Sequence, residues 1–218
     1  MRDIRKDNNY FKTYLEYQNA RIEKKLEKLR DCDGDKKQRV LVSLTGYEID
    51  LLKAEFSVGA TRESLKKLLE KIILDVGEYK KITFEDLLIV LSMAILLDNK
   101  KVSTNLIKVN REMIESDRLL KNIATFIEKG KVVWDKSIPV REENSLLDDV
   151  FSSTNKVNAM LTYLDNWYSN HADYAWYDSH LGDSDTYCGY WSFEAAAIAK
   201  ELKLDENSLK KSAYYPVL

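Results

Sequence analysis

Proline, glycine and cysteine are scarce in this chain of 218 residues, and their scarcity narrows the choice of fold. Two prolines, Pro139 and Pro216, and seven glycines interrupt the sequence. Few helix breakers, combined with long apolar patterns of period 3.6, indicate an all-helical protein. The two cysteines, Cys32 and Cys188, form no CxxC pair. This usage is typical of reduced thiols in a cytoplasmic protein, and not of a disulfide framework or a zinc site.

Long hydrophobic runs are also missing. The sequence has no uncharged apolar stretch of about twenty residues, so no membrane span is expected. Its first residues are charged where a secretion signal would have an apolar core, so no such signal is visible. The apolar run at residues 87–97 is too short to cross a bilayer and predicts a buried central helix. A soluble cytoplasmic protein is therefore expected.

Basic residues are absent from one window, residues 157–199, in a chain that otherwise has 34 of them. The net charge of −2 conceals this asymmetry. Residues 142–206 hold 13 acidic and 3 basic side chains, whereas the rest of the chain holds 23 acidic and 31 basic ones. A strongly negative surface repels DNA and RNA, so no direct contact with nucleic acid is expected.

Apolar spacing predicts helices along most of the chain. The clearest begins after Thr61, and another extends without interruption from Ser103 or Thr104 to Gly130. The predicted fold is an all-α multi-helix bundle with two packed helical subdomains, residues 1–130 and 131–218, whose layers meet near Trp134. Between residues 169 and 188 no period survives, which predicts an irregular aromatic and acidic loop. The buried stripe of the helix after Thr61 comprises Leu65, Leu68, Leu69, Ile72, Ile73 and Val76.

Aromatic residues concentrate in the same base-free window, which contains three of the four tryptophans and both histidines. Aromatic anchors supply affinity and acidic side chains steer a basic partner, so this segment is a candidate interaction surface. The alternative is a buried aromatic core with solvated acids. The residues predicted to contact a partner are Asp173, Trp176, Tyr177, Asp178, Asp183, Asp185 and Tyr187.

Catalytic chemistry has little support in the sequence. His171, Asp173, Asp178 and His180 could ligate a metal, but there is no HxxxH pair and no third histidine. Cys188 has no base beside it in a recognisable nucleophile motif, and no glycine-rich phosphate cradle is present. We therefore predict no catalytic residues, no cofactor and no metal.

Motifs near both ends of the chain carry a resemblance to a known family. The run GYWSFEAAAIAK at residues 189–200, followed by Tyr214-Tyr215-Pro216, resembles the C-terminal domain of the PoNi immunity family. The segment WYDSH at residues 176–180 fits the same pattern. Near the start of the chain, Arg2-Asp3 and Tyr10-Phe11-Lys12 are similar to the N-terminal domain of that family.

The resemblance implies an all-helical immunity protein that binds and neutralises a PoNe-type DNase toxin used in contact-dependent bacterial competition. A nuclease holds DNA phosphates with a basic face, and an acidic, aromatic surface would compete for that face. The predicted partner is therefore a basic nuclease toxin domain, bound without catalysis. Two alternatives remain: a small metal-dependent enzyme that uses His171 and His180, and a helical scaffold without a toxin partner.

Overall fold

A computed structural model describes residues 1–79, 82–182 and 184–218. As expected, the fold is all-α: those residues form helices and turns and include no β-strand. Short 3-10 helices occur at Lys100–Ser103 and Glu142–Asn144. The α-helices are α1 (Asn8–Arg30), α2 (Gly34–Val58), α3 (Arg62–Tyr79), α4 (Phe84–Leu96), α5 (Thr104–Val109), α6 (Arg111–Ser116), α7 (Arg118–Lys129), α8 (Leu147–Ser152), α9 (Lys156–Asn170), α10 (Phe193–Leu202) and α11 (Glu206–Leu209).

The first of two compact units comprises Met1–Val90 and Asp178–Gly189. Within it α1 packs along α2, and α2 packs along α3. Gly59 ends α2 with φ +95°, a left-handed backbone conformation that residues with a side chain rarely adopt. The predicted stripe of α3 is confirmed except at Leu68, which is half-buried; Leu65, Leu69 and Ile72 are completely buried. The apolar face of each helix therefore forms the core, as the periodicity indicates.

The second unit comprises Leu91–Tyr177 and Tyr190–Leu218. Its core includes Met160 and Leu164 of α9 and the row of alanines in α10, all buried. Trp134, where two layers were expected to meet, stacks on Phe151 inside this unit at 4.0 Å between ring centroids. The predicted domain boundary after residue 130 does not coincide with a boundary of either unit, and as a domain division it stays a prediction.

The uninterrupted helix predicted up to Gly130 is wrong, because the structure divides that stretch into α5, α6 and α7. The Asn110 side chain donates from Nδ2 to the Leu106 carbonyl at 2.9 Å. Asp117 is extended, with φ −131° and ψ 131°, and its Oδ1 accepts from the Leu120 amide at 3.0 Å. Short polar side chains compete for backbone groups and interrupt a helix without changing its apolar period.

Within the part of the chain that the structure describes, no helix combines the length and apolar character needed to cross a membrane.

Asp117 provides a test of the break before α7. Asp117→Ala removes the side-chain acceptor of the Leu120 amide, so we expect the free energy of unfolding to fall by about 1 kcal/mol. Asp117→Ser retains an accepting oxygen and is the matched control, with a smaller loss. Urea denaturation followed by circular dichroism measures both. An alanine variant as stable as the parent would contradict the capping role.

Buried Glu201 of α10 makes stability depend on pH. Its Oε2 accepts from Asn122 Nδ2 at 2.6 Å, while Oε1 has no hydrogen-bond partner in the described structure. Burial raises the pKa of Glu201 to about 7, against the lowering influence of Asn122 and Lys100. A carboxyl whose pKa is higher in the folded than in the unfolded chain favours folding while it is protonated.

The stabilisation from Glu201 is therefore present in acid and is lost as the pH rises towards and through 7. Between pH 5 and pH 8 we expect the free energy of unfolding to fall by about 2 kcal/mol on this account. Glu201→Gln, which does not titrate, should flatten that slope. Urea titrations of both proteins at four pH values test this, and equal slopes would refute it.

Candidate functional site

The loop Asp178–Gly189 is fastened to the core of the first unit at its C-terminal end. Tyr187 is completely buried, and its hydroxyl donates to Asp3 Oδ2 at 2.5 Å. Tyr10 donates its hydroxyl to the Tyr187 carbonyl at 2.9 Å and accepts from the Tyr187 amide at the same distance. Ser57 Oγ donates to the Cys188 carbonyl at 2.8 Å. Residues far apart in sequence thus fix this loop end.

Burial corrects the prediction for Tyr187. The side chain has no surface to offer a partner, and its burial, with the nearby Asp3 carboxylate second, raises its pKa. The sequence does not reveal this, because Asp3 lies at the other end of the chain. Asp183, also predicted to contact a partner, lies outside the described residues.

The loop Asp178–Gly189 has no lysine or arginine of its own, but a basic side chain from another part of the chain contacts it. Asp178 is exposed and has φ +56°, an unusual conformation for a residue other than glycine, and Asp185 is half-buried. Lys6 donates its ammonium to the Gly182 carbonyl at 3.1 Å. A window without bases in the sequence thus acquires one through folding.

An aromatic cluster in the second unit positions Trp176 and Tyr177. Trp176 stacks on Trp167, with ring centroids 5.5 Å apart, and Tyr177 stacks on Tyr168 at 4.4 Å. Both side chains are half-buried, so part of each ring faces solvent. Stacking holds the rings in place before any partner arrives. The cluster, called the aromatic cluster below, also includes His171, Tyr174, Tyr190 and Tyr214.

His171 is a buried member of this cluster. Its Nδ1 lies 2.6 Å from the Trp167 carbonyl, so this nitrogen carries the proton and donates it. The ring also contacts those of Trp167 and Tyr174, at 4.8 and 4.9 Å between centroids. Among the described residues there is no group of three or more His, Cys, Asp or Glu side chains placed to hold a metal ion.

A groove in the second unit, with a volume of about 420 Å³, is lined by acids and lacks lysine and arginine. Tyr174 forms part of it and donates its hydroxyl to Glu143 Oε1 at 2.5 Å. Asp173, a predicted contact residue, and Glu142 are both exposed. This groove, called the acidic groove below, is lined by Glu142, Glu143, Ser145, Leu146, Asn170, Asp173 and Tyr174.

Glu142 and Glu143 were not among the predicted contact residues. They lie about thirty residues before Asp173, and only folding brings the two segments together. A signal for them exists in the sequence, since the acid-rich region begins at residue 142. The groove therefore combines residues from the start of the acid-rich region with residues from the irregular segment.

Glu194 organises the structure around the groove. It is buried, and its Oε1 accepts from the Tyr163 hydroxyl at 2.8 Å, Trp167 Nε1 at 2.7 Å and Ser192 Oγ at 2.5 Å. The Tyr163 oxygen also lies 2.8 Å from the Asn144 amide. A hydroxyl has one proton, and Tyr163 donates it to Glu194. The contact with Asn144 is satisfied when the Asn144 side chain is oriented so that its Nδ2 donates to the Tyr163 oxygen. Asn144 follows Glu143, and the network therefore supports the groove wall.

Comparison with protein families decides the identity of the chain. The family model described as PoNe immunity protein (PoNi), N-terminal, matches residues 2–108. The model described as PoNe immunity proteins (PoNi), C-terminal, matches residues 115–217. The chain belongs to the PoNe immunity protein family. No curated protein and no solved structure matches it.

Membership implies a PoNi immunity protein directed against PoNe nuclease toxins. The C-terminal PoNi match contains the acidic groove, the aromatic cluster and the Glu194 network. The N-terminal match contains Asp3 and Tyr10, which hold the loop of the first unit. Some residues of the PoNi motif at 189–200 stabilise the fold, because they are buried; Trp191 and Glu194 are examples.

Glu194→Ala tests the structural role of this carboxylate. The substitution leaves three buried donors without their acceptor, so we expect the free energy of unfolding to fall by about 3 kcal/mol or more. Glu194→Gln keeps an accepting oxygen and should lose less. Asp165→Ala, at an exposed acid of α9, is the control and should change stability by less than about 0.5 kcal/mol. An alanine variant with parental stability in urea would contradict the network.

Proposed function

We propose that this PoNi protein neutralises a basic PoNe nuclease toxin by stoichiometric binding, without catalysis of its own. The observation that carries the proposal is the acidic groove, whose lining has no basic side chain, in a chain that belongs to an immunity family. A DNase must present cationic side chains to phosphates. A negative groove is complementary to such a face and unfavourable for nucleic acid itself.

Charge in the groove favours rapid encounter with that partner. Glu142 and Asp173 are exposed, and Glu143 is half-buried beside Tyr174. Clustered like charges repel one another in the free protein, and a cationic partner relieves the repulsion. Complementary potentials chiefly increase the association rate, and salt screens them.

Aromatic side chains supply the affinity that exposed charges lack. Trp176 and Tyr177 are each stacked on another ring of the aromatic cluster and keep part of their surface exposed. A side chain that is already ordered loses little conformational entropy when it binds. Trp and Tyr are also the residue types enriched at energetically dominant interface positions.

Asp178 and Asp185 of the first unit stay in the proposal as steering charges. The proposal also places the protein in the bacterial cytoplasm, where an incoming DNase would reach DNA, and assigns it to contact-dependent competition. Each of these finer statements rests on the family and on the chemistry of a DNase partner.

Charge reversal in the groove tests the proposal. We expect Glu142→Lys with Asp173→Lys to slow association with the toxin about ten-fold at low salt, because steering is lost. The difference should shrink as salt increases. The control is Glu23→Lys with Glu27→Lys at exposed positions of α1, which changes the net charge equally and should alter the rate less than about two-fold. Stopped-flow mixing with a catalytically inactive form of the cognate PoNe nuclease measures the rates.

Two results would contradict the proposal. Equal association rates for the groove variant and the control would show that the toxin binds elsewhere. Protection of DNA that continues at far less than one PoNi molecule per nuclease would show catalytic and not stoichiometric inactivation.

A further inference from the structure

A second groove of the second unit adjoins the acidic groove. It has a volume of about 380 Å³ and is lined by α8, the turn that follows α8 and the first half of α9. Its lining is polar and includes Asp149, Ser152, Asn158 and Thr162, so it is called the polar groove below. Leu146 lines both grooves, and the two therefore form one continuous depression.

One exposed face of α9 runs from the polar groove to the acidic groove. Asn158 and Thr162 line the first, and Asn170 lines the second. Residues four apart are neighbours on a helix, so Asn166 lies between Thr162 and Asn170. All four side chains are exposed and uncharged. Because α8 and the short helix Glu142–Asn144 both pack against α9, the two grooves and this face form one surface, called the α9 seam below.

Hydroxyl groups along the α9 seam have already committed their protons. Three exposed hydroxyls each donate to a backbone carbonyl three or four residues earlier: Ser145 to Glu142 at 2.7 Å, Ser152 to Asp148 at 2.7 Å and Thr162 to Asn158 at 3.2 Å. A hydroxyl has one proton, so in this arrangement each oxygen offers a partner only lone pairs. The seam therefore presents hydrogen-bond acceptors.

The charge of the α9 seam is negative along its length. Residues 141–173 contain six acids and two bases. Asp149 of the polar groove and Asp165 of α9 are exposed, and among the described residues neither groove has a lysine or arginine in its lining. Lys156 donates to the carbonyls of Val150 and Phe151 at 3.1 and 2.8 Å, and Arg141 lines neither groove.

This chemistry selects one kind of partner. Lysine and arginine side chains carry several hydrogen-bond donors and no acceptor. Carboxylates and hydroxyls that have given up their protons to the backbone are complementary to them. Phosphates, which only accept hydrogen bonds, meet like charge and other acceptors on the same surface. A basic polypeptide segment therefore fits the seam, and nucleic acid does not.

We propose that the α9 seam binds a segment of the toxin that is rich in arginine and lysine, along both grooves. This inference rests on the proposed function and adds Asp149, Asn158 and Thr162 as contact residues outside the acidic groove. The acids attract the segment, which increases the association rate. The hydroxyl and amide oxygens accept hydrogen bonds after encounter, so they act mainly on dissociation.

Thr162→Val tests the accepting role. The change removes the hydroxyl with little change of shape and no change of charge. We expect the Kd for a catalytically inactive form of the cognate PoNe nuclease to rise about five-fold through faster dissociation, with a parental association rate. Thr162→Ser keeps the oxygen and should stay within about two-fold of the parent. Stopped-flow mixing gives association rates, and displacement by excess unlabelled protein gives dissociation rates.

Thr162→Lys tests the position of the surface. A cation on the seam repels the basic segment, so we expect the Kd to rise at least about ten-fold. Thr104→Lys is the matched control, because Thr104 of α5 is an exposed threonine of the same unit that lines a different cavity, with Lys100 and Arg111. The control should stay within about two-fold of the parent.

The outcomes separate this inference from the proposed function. A parent chain that does not bind the nuclease would overturn both. Association slowed by Glu142→Lys with Asp173→Lys, together with a parental Kd for Thr162→Lys, would overturn the extension to the polar groove alone. An equal loss in Thr104→Lys would also overturn it, and a parental Kd for Thr162→Val would overturn the accepting role. Circular dichroism of every variant confirms that the helices are retained.

Discussion

The buried carboxylate of Glu194 is the interaction on which the architecture around the acidic groove depends. A buried carboxylate is costly unless hydrogen bonds replace the lost water. Here three neutral donors converge on one oxygen, from Tyr163, Trp167 and Ser192. Through them Glu194 joins the start of α10 to α9 and, by way of Asn144, to the short helix that carries Glu142 and Glu143. A buried acid thus supports the helix that carries the exposed Glu142 of the groove.

In the first unit Asp3 has a comparable structural role. It is buried and accepts from the Tyr187 hydroxyl and from the Arg5 amide, so it ties the beginning of the chain to the loop Asp178–Gly189. Ile4, next to Asp3, and Leu181 of that loop are nevertheless exposed. A strongly held backbone and exposed apolar side chains are compatible, because the polar groups are satisfied beneath them.

The surfaces proposed for toxin binding combine solvated charge with aromatic rings that are already in place. Trp176 is stacked on Trp167, which itself donates to Glu194, so the buried network and the proposed surface share contacts. In Trp176-Tyr177-Asp178 the two rings belong to the aromatic cluster and keep part of their surface exposed, and the acid is exposed.

The sequence by itself determined the helical fold, most of the buried stripe of α3, Gly130 as the end of α7 and the PoNi family, because these depend on local period, capping and motif. It did not reveal the breaks at Asn110 and Asp117, where the Asn110 side chain donates to the Leu106 carbonyl and the Asp117 side chain accepts from the Leu120 amide. Only the tertiary structure decided that Tyr187 is buried against Asp3, that Lys6 enters a base-free window and that Glu143 lies beside Tyr174. Such contacts join residues remote in sequence, and hydrophobic period and composition carry no information about which remote residues meet.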